Sequence, residues 1–251
     1  MDLNLKGKVA LVTGAAQGLG NVISTSLVRE GAVVALADVS DSVEKAAAVL
    51  KAEGHKVLAV KMDISNYQQV VEGFEKASKA LGPIDILVNN AAVTGKFATT
   101  AKMDPQNWDR EVAIDLSGAF YCSHQVIDSM AQRGFGRIIN IISPAGPHGG
   151  YGQCSYSASK SGLIGLTRSI AIETARNGIT ANAVMPGLMP TPGYYALKED
   201  VRERLLKHIA SRKLCDPQYV ADLVLFLVSE KASYLTGEVY SAAGGEELQI
   251  Y

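Results

Sequence analysis

The chain has 251 residues, 47% of them apolar, and a net charge of −1. That length buries a sizeable core as one large α/β domain or two small ones, and the near-neutral balance gives no electrostatic case for nucleic acid or an anionic membrane as partner. Cys122, Cys154 and Cys215 are widely spaced and form no C-x-x-C pair, so they read as reduced thiols of a cytoplasmic protein. Residues 1–8 hold no apolar h-region, so no signal peptide is expected, and the longest apolar run, 220–228, carries Asp222 and is too short to span a bilayer.

The first apolar run, 9–12, reads as a strand buried on both faces, and Thr13-Gly14-Ala15-Ala16-Gln17-Gly18-Leu19-Gly20 follows it. A helix is expected from 21 to 30, closed by Gly31. A second strand, 33–37, ends at Asp38, and Asp41-Ser42-Val43-Glu44 has the form of a capping box for a helix ending at Gly54. The beat repeats: strand 57–62 ending at Asp63, a helix capped by Ser65 with Gln68, strand 84–88 ending at Asn89-Asn90. Asp104-Pro105 sets a cap with proline at the first helical position, and helical pattern covers 108–133.

Strand 137–142 ends at Ser143, a helix is expected from Tyr156 to 177, and strand 179–184 leads to Pro186-Gly187. Only the stretch 185–215, with three prolines and a mixed-charge helix, breaks the rhythm before a helix at 216–229 and a short strand at Val239-Tyr240. Such alternation predicts a doubly wound parallel sheet with helices on both faces, Rossmann-like with about seven strands, in one domain over 1–251 with a small insert at about 188–215. Ligands bind at the carboxyl ends of strands in these folds. Asp38, Asp63, Asn90, Ser143 and Gly187 all fall there.

Gly14, Gly18 and Gly20, with Gln17 and Leu19 between them, form a turn that lets backbone approach a pyrophosphate at a helix N-terminus. Asp38, eighteen residues past Gly20, can accept both adenosine ribose hydroxyls and would repel a 2′-phosphate. No arginine or lysine stands at Ala15, Ala16 or Val39, so NAD is favoured over NADP. Ser143 precedes Tyr156 by thirteen residues, and Lys160 follows Tyr156 by one helical turn, where its charge favours the phenolate. The four histidines show no metal-ligand spacing, and no metal is expected.

Together these residues make the chain resemble the short-chain dehydrogenase/reductase family from about residue 5 to 245. The resemblance implies an NAD-dependent oxidoreductase for secondary alcohols or ketones, usually a homotetramer built on the helices at 108–133 and 156–177. It implies that Tyr156 is the acid/base, that Ser143 binds the substrate oxygen, and that Lys160 binds the nicotinamide ribose and lowers the tyrosine pKa. Asp63, followed by Ile64, matches an adenine contact, and Asn90 packs beside the cofactor's ribose. Gly187, Leu188 and Thr191 match the segment that holds the nicotinamide amide.

Departures from the family pattern stand at Ala92, at Pro144 after Ser143, at Asp115 in place of a catalytic asparagine, and across 241–243. Asp115 is kept as a site member; its charge could raise the lysine and tyrosine pKa values. Pro144, Met189 and Tyr194 are expected in the substrate wall, which suits an apolar, cyclic or aromatic substrate. A 3-oxoacyl thioester reductase (in the reverse direction a 3-hydroxyacyl dehydrogenase) is the alternative among enzymes; Asp38 and the charge-balanced insert weigh against it. A catalytically silent NAD-binding subunit would suit the departures, and the intact Ser143, Tyr156 and Lys160 weigh against that.

Overall fold

Residues 2–248 are described by a computed structural model. Seven parallel strands form one sheet in the order β3-β2-β1-β4-β5-β6-β7. They are β1 Val9–Thr13, β2 Val33–Asp38, β3 Val57–Lys61, β4 Ile86–Asn89, β5 Gly136–Ile141, β6 Ile179–Pro186 and β7 Val239–Ala242. The helices are α1 Gly18–Arg29, α2 Ser42–Ala52, α3 Tyr67–Leu81, α4 Pro105–Val112, α5 Gly118–Arg133, α6 Ala145–His148, α7 Cys154–Thr174, α8 Pro192–Tyr195, α9 Glu199–His208 and α10 Pro217–Val228.

The strands are apolar on both faces because both faces are covered. Val34 and Leu36 of β2 point to the side packed by Ile23 and Leu27 of α1, Val43 of α2 and Val224 of α10. Ala35 and Ala37 point to the other side, with Phe74 of α3, Val126 of α5 and Ile170 of α7. One polar thread crosses this second layer. Asn89 of β4 donates to Asn140 of β5 (2.8 Å) and to Ser123 of α5 (3.1 Å), and Asn140 donates to Thr167 of α7 (2.8 Å). It fixes the rotation of α7 against the sheet, and α7 carries the phenol and the ammonium.

Local chemistry departs from expectation at three helices. Asp41 caps nothing; its carboxylate pairs with Lys61 (2.6 Å), so the expected capping box is not formed. The cap of α3 is Asn66, whose side chain accepts from Gln69 N–H, while Ser65 donates to Asp63. The helix expected across 108–133 is interrupted by a π-helical turn, Ala113–Ser117. Asp104-Pro105 and Asp216-Pro217 cap α4 and α10 as the sequence predicts.

Among the described residues, no helix is long and apolar enough to cross a membrane.

Candidate active site

Strand order reverses at β1, whose neighbours are β2 and β4, and this is where a doubly wound sheet opens a crevice. The carboxyl ends of β1 and β4 are tied by Thr13, whose hydroxyl accepts the N–H of Asn90 and of Ala91 (both 3.0 Å). The Asn90 amide in turn donates to the carbonyls of Thr13 (2.9 Å) and Gly14 (3.2 Å). Two adjoining clefts share Asn90 and Ala92 in their walls. Asn90 therefore shapes the glycine turn as well as the crevice.

The first cleft, of about 470 Å³, is lined by Gly14, Gln17, Gly18, Asp38, Asp63 and Ile64 together with Arg110 and Ile114. Gly14 has φ +64°, and a Cβ there would come within 2.8 Å of Ala91 Cα. A Cβ at Gly20 would run into the Gly14 carbonyl and the Asn90 amide, so this glycine serves close strand–helix packing behind the wall. At Gly18, by contrast, nothing lies within 4 Å of a Cβ position. Helix α1 begins there with no side-chain cap and no acidic residue in its first turn, leaving N–H donors for an anion. Asp38 steadies the turn by accepting from Ala16 N–H (3.0 Å) and Ser40 N–H (2.9 Å). Open backbone donors at one end and carboxylates at the other fit a dinucleotide.

The second cleft, of about 370 Å³, is lined by Leu19, Ser143, Pro144, Tyr156, Lys160, Gly187, Leu188, Met189 and Thr191. Gly187 is pressed against the chain after β7, where a Cβ would sit 2.7 Å from Ala243 Cα. Thr191 accepts from Tyr194 N–H (3.2 Å). Tyr194, expected in the substrate wall, is instead buried at 6% exposure, with its ring edge-on to Tyr195, and does not line the cleft. Tyr156 lies two residues inside α7, which opens at Cys154. Lys160 is buried, donates to the Ile141 carbonyl (3.0 Å), and stands 5.5 Å from the centre of the Tyr156 ring.

Asp115 sits in the π-helical turn, buried at 1% exposure. Its Oδ1 accepts from Val93 N–H (2.8 Å), and its Oδ2 has no partner. Burial pushes its pKa up from 3.8 to about 6, with Lys160 and the Val93 amide pulling the other way and Glu111 adding to the rise. Lys160 is lowered by burial and partly restored by Asp115.

The expectation that Lys160 lowers the Tyr156 pKa is not met in the protein alone. Burial pushes the phenol up to about 12; the Ser143 hydroxyl draws it down, and the carboxylates of Asp115 and Glu111 raise it further. The main reason is burial, which disfavours the charged phenolate; the two carboxylates add a smaller push in the same direction.

Sequence reading missed Glu111, Arg110 and Glu246. Glu111 is buried at 4%, one turn before Asp115 on the same helical face, a spacing that could have exposed it. Glu246 lines the second cleft and accepts from Leu188 N–H (3.2 Å). It directly follows the Gly244-Gly245 pair, next to the departure at 241–243. Among the described residues no group of three or more His, Cys, Asp or Glu is arranged to hold a metal ion.

Comparison with known proteins follows the same lines. A family model for short chain dehydrogenase matches residues 8–202. The chain is 42% identical over 246 residues to nodulation protein G of Azospirillum brasilense, covering 96% of this chain and 99% of that one. It is 42% identical over 240 residues to acetoacetyl-CoA reductase of Shinella zoogloeoides, covering 95% and 98%. The solved structure of NAD+-bound xylitol dehydrogenase is similar with a TM-score of 0.91 at 28% identity, covering 96% of this chain and all of that one.

Proposed function

This chain belongs to the short-chain dehydrogenase family and is a nicotinamide-dependent oxidoreductase; from that premise we propose that it moves a hydride between NAD(H) and a secondary alcohol or ketone of apolar, cyclic or aromatic character. The observation that supports this is the single cleft lined by Ser143, Tyr156 and Lys160, which shares Asn90 and Ala92 with the adjoining cleft lined by Asp38.

The first-turn N–H groups of α1 hold the pyrophosphate, Asp38 the adenosine ribose hydroxyls, and Asp63 with Ile64 the adenine. Lys160, with three donors and one spent on Ile141, turns the others to the nicotinamide ribose. Gly187, Leu188 and Thr191 hold the nicotinamide amide. Bound there, the nicotinamide supplies or accepts the hydride, and its oxidised ring adds a positive charge.

In oxidation Tyr156 takes the hydroxyl proton, and in reduction it returns one, with Ser143 donating to the same substrate oxygen. Burial pushes the phenol up to about 12 and the Ser143 hydroxyl draws it down, so Ser143 eases the proton step that Tyr156 carries. Met189 and Pro144 give the substrate an apolar wall. The insert at about 188–215 acts as a lid: α9 buries none of its ten residues, as suits a segment that closes over a site instead of joining the core. One domain, 1–251, carries both binding functions.

The similarity to acetoacetyl-CoA reductase favours a second reading, reduction of a 3-oxoacyl thioester by the same proton and hydride steps. A panel of acetoacetyl-CoA, cyclic ketones and secondary alcohols, read by nicotinamide absorbance with NADH and NADPH, separates the two. Turnover of cyclic or aromatic ketones with NADH is the expected result. Turnover of acetoacetyl-CoA alone transfers the assignment to the thioester, and a preference for NADPH overturns the role given to Asp38. Tyr156→Phe should lose at least a hundredfold in kcat, on the scale of about 10²–10⁴ for general acid–base catalysis, while NADH binding by fluorescence is kept.

A further inference from the structure

The chain from Val93 to Ala98 begins at the clefts, where Val93 lines the first and Thr94 the second. It is held to the helices at alternate amides. Val93 N–H donates to Asp115, and Gly95 N–H donates to Glu111, one helical turn earlier. Amides two residues apart in extended chain and carboxylates four apart on a helix have matching spacing of about 6 Å. The other oxygen of Glu111 accepts from the hydroxyl of Ser155, the residue before Tyr156. Downstream, Ala98 N–H donates to the Gly152 carbonyl (3.0 Å), joining the same loop to the segment that leads into α7.

Gly95 is the residue this approach requires, because a Cβ there would collide with Glu111 Oε1. A buried carboxylate is costly unless it is fully hydrogen-bonded, and here both oxygens are used.

We propose that Glu111 is a positioning residue that latches the 93–98 substrate-side loop onto the first turn of the catalytic helix α7. The inference rests on the oxidoreductase reading only for its kinetic consequence; the latch itself is a statement about loop and helix. Through it, loop position, the Tyr156 phenol and the Asp115 carboxyl are coupled to one buried charge. On α7, Lys160 and Tyr156 face Asp115 and Tyr156 also faces Glu111, the two carboxylates face each other, and the loop reaches them through the Val93 and Gly95 amides.

Two substitutions divide the roles. Glu111→Gln keeps an oxygen for Gly95 N–H and can donate its amide to the Ser155 hydroxyl, but loses the charge. Glu111→Ala loses both. Hydrogen exchange followed by mass spectrometry on the peptide spanning 93–98 needs no substrate. Exchange there should quicken about tenfold or more in Glu111→Ala, and Glu111→Gln should restore most of the protection.

With whichever ketone or thioester the panel turns over, Glu111→Ala should raise KM about tenfold while NADH affinity stays within about twofold. Glu111→Gln should recover KM relative to Glu111→Ala, and should move the alkaline limb of the kcat/KM profile to lower pH, because one negative charge near the phenol is gone. Should Glu111→Ala fail to fold by circular dichroism, Ser155→Ala, which removes one arm of the latch, is expected to show the same loop exchange in weaker form. Unchanged exchange in folded Glu111→Ala, or Glu111→Gln as loose as Glu111→Ala with an unmoved pH profile, overturns the latch. Silence of the wild-type enzyme on every substrate overturns the function assigned above and leaves the exchange result to decide the latch.

Discussion

At the scale of single residues, Asp115 is a carboxyl with one oxygen hydrogen-bonded and the other buried without a partner. Unfolded, such a group gives up its proton near pH 3.8; folded, it keeps it to about 6. Between those values the folded state binds more protons than the unfolded one, so this group's contribution to stability falls as pH rises. Above about pH 6 the accumulated penalty is on the order of 3 kcal/mol. Asparagine can still accept from Val93 N–H and carries no charge. The stability of Asp115→Asn relative to the wild type, from urea unfolding, should therefore improve steadily between pH 4 and 6 and then level off. A difference that stays flat across that window would mean that Asp115 does not ionise there. The residue was visible in the sequence as a departure. Its environment was not, because the direction of an aspartate shift depends on burial and on neighbours brought in from α4 and α7.

At the scale of elements, the alternation of apolar runs with capped helical stretches was enough to order all seven strands correctly along the chain. Unbroken apolar runs survive in the strands because both faces of the sheet are covered, and a period of 3.6 survives in helices that bury one face. The errors lie where side chains choose between local and distant partners. Asp41 reads as a cap until Lys61 is brought beside it, and Ser65 reads as a cap until Asp63 engages its hydroxyl and Asn66 takes the role. The π-helical turn at Ala113–Ser117 has no sequence signature here; one extra residue per turn is tolerated because tertiary contacts hold it, and such turns gather at functional sites. The polar thread from Ser123 through Asn89 and Asn140 to Thr167 is a second feature set by tertiary packing. Thr167→Val keeps the shape and strands the Asn140 amide in the core. A loss of about 1–3 kcal/mol is expected, together with lowered kcat as α7 loses its anchor to the sheet. Thermal unfolding and steady-state kinetics measure both, and an unchanged midpoint would show that the thread is dispensable.

At the scale of the molecule, the active-site clefts open at the carboxyl ends of the strands, while α5 and α7 carry a separate groove. Between those two helices runs a groove of about 280 Å³, walled by Phe120, Ile127, Leu166 and Ile170 and rimmed by His124, Asp128 and Glu173. Phe120 is 48% exposed on α5, and Ile172 is 83% exposed on α7. An apolar groove with an exposed aromatic at its wall is the kind of surface that protein partners use. The family resemblance carries the expectation of a homotetramer, and a second copy of the chain is the occupant to test for here. Assembly would bear on the chemistry directly, since α7 carries Tyr156 and Lys160 on its inner side and the covered face on its outer side. Phe120→Glu places a charge in the groove without touching either cleft. Light scattering should show the wild type well above the mass of one chain and the variant at half that mass or less. Activity per site should fall with the loss of mass if packing across this face stiffens α7. A wild type that stays monomeric at micromolar concentration would refute the assembly, and an oligomer untouched by Phe120→Glu would move the interface elsewhere on the surface.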